Sequence, residues 1–421
     1  MHSISYYPVL STELLNSLLA AALEIIWSIF AIMSKRYDSL GVSASKNEVH
    51  QAIRSLDKGL YPGAFCKILP DICGNDDEFC NVMHADTAGT KTALAYLRWK
   101  ENADLGVWHR LAQDALVMNL DDLACVGATQ NIIVSSTIGR NKHIIPAEVI
   151  EAVIEGNKTF LDTLKSAGIR VHYGGGETAD VGDIVRTIDV GITAFCRMKR
   201  EDLILPNITP GNVIVGFSSS GQSAMENEYN SGIGSNGLTA ARHDLLSKYY
   251  AENFPETYSP QSPYDAIYSG DFKLSDKIKS AFGQFEVGDL LTSPTRCYLP
   301  MISKIIETRK KDIAAFIHCT GGGQTKVKKF ARNVKIIKDQ LFDLPPLFAW
   351  IQQKANYDLS EMYEIYNMGH RMEVYTSSQA APDMIEIAKS FEIEAKIIGR
   401  VEESHGNTQI LIQTNQGNFD F

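Results

Sequence analysis

Four short segments of this chain carry the side chains from which an anion- or metal-handling site is built. The first, Asp86-Thr87-Ala88-Gly89-Thr90-Lys91, joins a carboxylate, a glycine, a hydroxyl and an ammonium. A magnesium-bound phosphate needs these parts: oxygen for the metal, N–H groups and positive charge for the anion. Surface turns use the same residues, so this segment alone decides little. The second is the pair Asp121-Asp122. Neighbours on a helix lie about 100° apart, so at least one carboxylate must approach a buried face. There it needs a cation or a set of donors. A metal is one answer; a solvated helix edge is the other.

The third segment is Gly174-Gly175-Gly176-Glu177-Thr178-Ala179-Asp180. Glycines let backbone approach a ligand closely, and Glu177 offers a hard oxygen. A plain turn rarely needs three in a row, which favours a ligand-contacting loop. The fourth is His318-Cys319-Thr320-Gly321-Gly322-Gly323. Consecutive N–H groups there can form an anion-binding nest. His318 can donate to a phosphate or exchange a proton, or it can pack and fix the loop. Neither a Walker GxxxxGK[ST] nor a GxGxxG pattern occurs in these segments, so a P-loop enzyme is not indicated.

The elements that must position these segments alternate in character. Phe79–Met83 reads as a strand leading into the first segment. Beyond Leu105, residues Leu111, Ala115, Met118, Leu123 and Val126 fall at helical spacing and carry the aspartate pair. Ile132–Ser135 reads as a strand, Pro146–Ala167 as a helix closed by Gly168, and Arg170–Tyr173 as a strand entering the glycines. Ile184–Met198 is a further strand. Two prolines and a Gly-Asn turn between Leu205 and Asn212 mark the domain boundary. Asn212–Ser219, Ile313–His318 and Ala395–Val401 read as strands of the second half, and Leu238–Tyr250 as a helix. The expected class is α/β (α+β) in two domains, residues 34–207 and 208–421.

Composition agrees with two soluble domains. The chain has 421 residues, 44% hydrophobic and 21% charged, enough for sizeable cores without disulfides. A net charge of -10 argues against broad contact with nucleic acid or anionic lipid. Seven scattered cysteines without a CxxC pair fit a reducing compartment, and a cytoplasmic location is expected. Cys66, Cys73 and Cys80 recur every seven residues, but Pro70 and Gly74 break any shared helix face. The apolar run Leu14–Ile32 is long enough to span a bilayer. Met33-Ser34-Lys35-Arg36 nevertheless reads as the start of a soluble domain, so residues 1–33 are expected to be an extension outside the working fold; a helical appendage packed on the fold and a membrane anchor are the other readings, and no membrane partner is expected.

Taken together and in order, these segments resemble the aminoimidazole ribonucleotide (AIR) synthase family from about Tyr37 to the C-terminus. His84–Lys91 is similar to its Gly-Thr-Asp-Gly-Val-Gly-Thr-Lys loop, and Asp121-Asp122-Leu123 with Gly127-Ala128 to its Asn-Asp-Leu segment. Gly175–Ala179 matches a family motif outright. Ser219-Ser220-Gly221 and Ser235-Asn236-Gly237 look like two ends of one family loop. Pro294-Thr295-Arg296, then His318 with Thr320–Gly323, then Glu361-Met362 and Tyr366-Asn367-Met368-Gly369 follow in family order.

The resemblance implies a two-domain PurM-like fold and a homodimer in which N-terminal sheets close a barrel. It implies ATP-dependent closure of formylglycinamidine ribonucleotide to AIR. Carried over, Asp86, Asp122 and Glu177 would hold magnesium. Gly89, Thr90, Lys91, Gly175, Gly176, Thr178, Ser220, Gly221, Asn236, Gly321, Gly322 and Gly323 would meet the nucleotide and its phosphates. His318 and Lys91 would be catalytic. Departures sit around the ligand loops: Ser43–Asn47 replaces an acidic motif, His84 and Thr87 replace glycines, Asp121 replaces Asn, and Gln222–Gly234 is inserted. Two other readings stay open: an ATP-dependent relative acting on another amide, amidine or phosphate acceptor, and a nucleotide-binding regulator without turnover.

Overall fold

The computed structural model describes residues 40–42, 47–280, 283–355 and 357–421. The apolar run 14–32 and the divergent stretch 43–46 lie outside the described residues. Among the described residues no helix is long and apolar enough to cross a membrane.

After a short helix α1 (Asn47–Ala52), the first half builds a five-stranded sheet from β1 (Ile68–Pro70), β2 (Phe79–Thr87), β3 (Ile132–Arg140), β4 (Val171–Asp180) and β5 (Ile188–Lys199). Their order is β1-β2-β5-β3-β4. Only β3 and β4 run parallel, so a crossover must join them; α4 (Ala147–Ser166) supplies it. Helices α2 (Lys91–Asn102) and α3 (Gly106–Ala124) precede it. β3 alternates buried and exposed residues, as a strand covered on one face does. Ile132, Val134 and Ile138 face the helices. The other face is open, with Met83, Phe195 and Ile133 side by side across three strands.

The second half forms a seven-stranded sheet from β6 (Val213–Ser218), β9 (Ile313–His318), β10 (Val334–Lys338), β11 (His370–Thr376), β12 (Ala395–Glu403), β13 (Gln409–Thr414) and β14 (Gly417–Asp420). A hairpin of β7 (Lys277–Ser280) and β8 (Gly283–Glu286) stands apart. The order is β14-β13-β10-β12-β6-β11-β9. One face shares a core with the first half, through Phe217, Phe316, Met372 and helices α6 (Leu299–Arg309) and α7 (Ala381–Ser390). The opposite face packs on α5 (Leu238–Leu245) and its neighbours in a second core. The helix expected over Leu238–Tyr250 breaks after Leu245, where the chain bridges to Gly270 and Phe272.

α3 lies between the two halves. It is buried nearly all round, which a helix covered on every side requires. Its polar residues must therefore find partners inside. Asp114 Oδ1 accepts from Lys91 Nζ at 2.7 Å and from the Thr295 N–H at 2.7 Å. The Thr295 hydroxyl and the Ser293 carbonyl complete the clamp. Two turns later, Asp121 accepts from the Tyr298 N–H at 3.0 Å. Seven helical residues rise about 10.5 Å, close to three extended residues, so Thr295–Tyr298 runs alongside the helix and meets both carboxylates.

Lys91, expected at phosphate and in catalysis, is buried here, and its ammonium joins the two halves. Removing one member of such a pair strands the other. Asp114→Ala is expected to lower unfolding stability by about 3–5 kcal/mol. Lys91→Met should also destabilise the fold. Denaturant midpoints unchanged in both variants would show that the clamp carries no stability.

Candidate functional site

The centre of the site is the Asp122 carboxylate, next to Asp121 on α3 and nearly buried. Its Oδ1 meets His318 Nδ1 at 2.6 Å, and its Oδ2 meets His84 Nε2 at 3.2 Å. Burial opposes its charge, but the two imidazoles together hold it well below the usual carboxylate range.

His318 ends β9 and is buried. Arg371 Nε donates to its Nε2 at 3.1 Å, so the ring proton sits on Nδ1 and points at Asp122. Burial keeps the ring neutral. With both nitrogens engaged, His318 positions Asp122 and Arg371.

His84 is different. It lies on β2 with about a quarter of its side chain exposed (25%). Its Nδ1 faces Asn119 Oδ1 at 2.9 Å while Nε2 faces Asp122. The Asn119 amide nitrogen is spent on the Ala115 and Asp86 carbonyls, so its oxygen is the atom that meets the ring. Two acceptors call for two N–H donors. Burial works against that charge, but the Asp122 hydrogen bond and charge raise the His84 pKa. An imidazolium therefore faces the cleft.

The glycine loops gather around this centre. Thr90, at the start of α2, accepts from Thr239 Oγ1 at 2.9 Å. Gly321 faces the Asn236 amide, and Ser235 approaches Thr295 Oγ1 at 3.4 Å. Arg296 donates to the carbonyls of Ser218 and Ser220, each at 2.9 Å, and pairs in a fork with Glu226 of the inserted segment. Gly221 bridges to Asn230 in the same segment. Gly322 and Gly323 turn the chain into a short 3-10 helix; at φ 47° Gly323 lies so near the Tyr363 carbonyl that a side chain would collide.

A buried network fixes the loops to one another. Lys338 Nζ donates to Gln324 at 2.8 and 2.9 Å and pairs with Glu373. Gln324 Nε2 donates to the Asn367 and His370 carbonyls. Asn367 in turn accepts from Ser219 Oγ at 2.7 Å and donates to the Gly232 carbonyl at 2.7 Å. Cys319, His370 and Glu373 cluster closely enough for a metal ion, but the Lys338 ammonium already neutralises that carboxylate.

The third segment is not a loop. β4 runs straight through Gly174–Gly176. Val134 pairs with Tyr173 and Ser136 with Gly176, so β4 spends three steps against two: a bulge, with Gly175 at φ 87°. Gly176 packs against Ser136, leaving no room for a side chain. Gly175 and Gly176 are thus required by the strand itself. Glu177 pairs with Thr137, and the same row continues through Gly191 to Thr87 on the open face. His84 and Asp86 project from the opposite face, by alternation from Val82.

Asp86, Asp122 and Glu177 therefore do not surround one point within a chain. Both Asp122 oxygens are occupied by imidazoles, and Glu177 and Thr178 are exposed on edge strand β4, where Glu177 accepts from the neighbouring Thr178 N–H. These three carboxylates do not fit a resident magnesium. Asn119, Arg371 and Lys326 belong to the site and were not singled out from sequence, and His84 was noted there only as a replacement for a family glycine. The signal for His84 was present: it lies two residues before Asp86 on the same strand face.

The comparisons with known proteins agree with this architecture. Residues 68–198 match the family model described as AIR synthase related protein, N-terminal domain, and residues 209–411 match the corresponding C-terminal domain. A phosphoribosylformylglycinamidine cyclo-ligase of Methanococcus vannielii is 27% identical over 86% of this chain and 87% of its own length. One from Methanocaldococcus jannaschii is 28% identical over 77% and 78%. Among solved structures, Thermotoga maritima PurL complexed with FGAR aligns with a TM-score of 0.53 at 16% identity, covering 88% of this chain. This chain spans 48% of that PurL chain, about half of it. The HypE–HypF complex aligns with a TM-score of 0.51 at 15% identity, covering 90% of this chain and 98% of that one. These likenesses establish the fold.

Asp121 supplies a test of the geometry. Burial raises its carboxyl to about 7, with Arg371 at 3.6 Å working the other way. Between the unfolded carboxylate pKa near 4 and pH 7, the folded chain holds a proton that the unfolded chain has lost. Stability therefore falls as pH rises through that window. Asp121→Asn keeps an oxygen for the Tyr298 N–H and removes the fall. Relative to wild type, the variant should gain roughly 1–4 kcal/mol between pH 4.5 and 7.5 in denaturant unfolding. Parallel curves would contradict the buried pairing.

Proposed function

The chain belongs to the AIR synthase related family, and from that premise we propose that it is an ATP-dependent cyclo-ligase. Its substrate is formylglycinamidine ribonucleotide and its products are aminoimidazole ribonucleotide, ADP and phosphate. The observation that carries this reading is the cleft itself. His84 of the first segment and His318 of the fourth meet on the Asp122 carboxylate of the second, in a chain whose halves match both family domains.

In the proposed reaction the γ-phosphoryl of ATP passes to the formyl amide oxygen, and ADP leaves. The amidine nitrogen attacks the activated carbon, the carbon–oxygen bond to phosphate breaks, and the nitrogen loses a proton. Such chemistry depends on positioning and on neutralising charge around the transferred group. His84, with both ring nitrogens taken by Asp122 and Asn119, fixes the Asp122 carboxylate from the β2 side. His318 and Arg371 hold Asp122 from behind. Thr90, Ser220, Gly221, Asn236 and Gly321 supply neutral donors around it. Magnesium enters with the nucleotide as part of that substrate, and Asp86 is the nearby carboxylate not taken by a histidine.

We also divide the chain functionally at residue 207, with nucleotide handling and dimer formation in the first part. Pairing of two copies through the open sheet face would cover Met83 and Ile133, which are 57% and 47% exposed, and place Glu177 in the joint.

Purified protein given magnesium, ATP and formylglycinamidine ribonucleotide should form aminoimidazole ribonucleotide and ADP in equal amounts. ADP without the imidazole would move the assignment to another acceptor. Bound nucleotide without hydrolysis would reject an enzyme. Asp122→Asn, which disturbs both imidazoles, should lower kcat by on the order of a hundredfold or more. An unchanged kcat would remove Asp122 from the centre.

A further inference from the structure

The basic side chains that reach these loops are mostly spent. Lys91 is paired with Asp114, Arg296 with Glu226, Lys338 with Glu373, and Arg371 lies against Asp121 and His318. Lys326 differs: among the described residues its ammonium has no carboxylate partner. It lies on the 3-10 helix Gly323–Lys329 that follows the glycine loop. Its Nζ is 3.4 Å from Thr320 Oγ1 and 5.4 Å from the centre of the Phe65 ring. Phe65 stacks on Phe330 at 4.8 Å, which holds the ring in place beneath the ammonium. The side chain is half-buried, and the residue after Phe65 reaches Asp122 itself: Cys66 Sγ donates to the Asp122 carbonyl at 3.2 Å, which sets Lys326 on the Asp122 side of the molecule.

Electrostatics give this placement a consequence. With a net charge of -10, the molecule repels anions at long range. A phosphorylated ligand therefore needs local positive charge that no protein carboxylate has already cancelled. Asp122 is screened by two imidazoles, and Thr320, Gly321 and Asn236 nearby are neutral donors.

We propose that Lys326 is the residue that grips the phosphate oxygens of the bound ligand and sets the preference for phosphorylated over unphosphorylated ligands. This takes over the role that sequence alone assigned to Lys91, and it rests on the cyclo-ligase reading. The oxygens have two possible sources, the polyphosphate of ATP or the 5′-phosphate of the ribonucleotide substrate. The chemistry recognised is the same.

The test uses the full-length protein, Lys326→Met and Lys326→Arg, titrated by calorimetry with magnesium and a nonhydrolysable ATP analogue, and separately with formylglycinamidine ribonucleotide. Met keeps the aliphatic stem over Phe65, so the thermal midpoint should stay put. Loss of a charge-assisted hydrogen bond should weaken one ligand by on the order of ten- to hundredfold. Which ligand weakens identifies the source. Lys326→Arg should recover part of the affinity, and the salt dependence of binding should be shallower in Lys326→Met than in wild type. Both ligands binding Lys326→Met as tightly as wild type would overturn the assignment to Lys326. Wild type binding neither would overturn the cyclo-ligase reading beneath it.

Discussion

Three carboxylates on one buried helix organise this molecule. α3 lies between two sheets, and Asp114, Asp121 and Asp122 on it cannot be left without donors. Each draws partners from the other half of the chain. Asp114 takes the Thr295 N–H, Asp121 the Tyr298 N–H, and Asp122 the ring of His318. The first two bonds lock the segment Ser293–Tyr298 along the helix, which fixes the relative position of the halves. The third is made at the mouth of the resulting cleft. The site is thus a product of the same constraint that joins the domains.

That economy explains why chemistry-bearing residues divide into a hidden set and a facing set. Lys91, His318 and Arg371 have reactive side chains but are buried and spend their donors on protein partners. His84 and Lys326 keep part of their surface open. A second buried ion pair, Lys338–Glu373, does for the loops what Asp114 does for the halves. Through Gln324 and Asn367 it connects the glycine loop to the Ser219 loop, so both are placed by one network of satisfied polar groups.

Much of the framework was legible in the sequence because it rests on periodicity. The helical spacing from Leu111 to Leu123, the strand into His318 and the crossover helix closed by Gly168 all appear where hydrophobic pattern places them. Tertiary facts were not legible. Lys91 has the composition of a phosphate contact and becomes a clamp only because Asp114 lies 23 positions away on the adjoining helix. His318 reads as an acid–base residue until Arg371, contributed by a neighbouring strand, occupies its second nitrogen. Neither partner is signalled by local spacing.

Glu177 shows how a single residue can reverse such a reading. An unbroken β4 would set Glu177 opposite Ile138, on the covered face and turned toward the helices. The bulge at Gly174–Gly176 adds one position and pairs it with Thr137 instead. The glycines that looked like a ligand loop thus act by changing parity, and the carboxylate they carry is delivered to the open face. A nucleotide held at Asp122 cannot share a metal with that carboxylate inside one subunit. On the proposed reading the metal is held chiefly by the phosphates that bring it, and Lys326 is the cation the chain adds beside them.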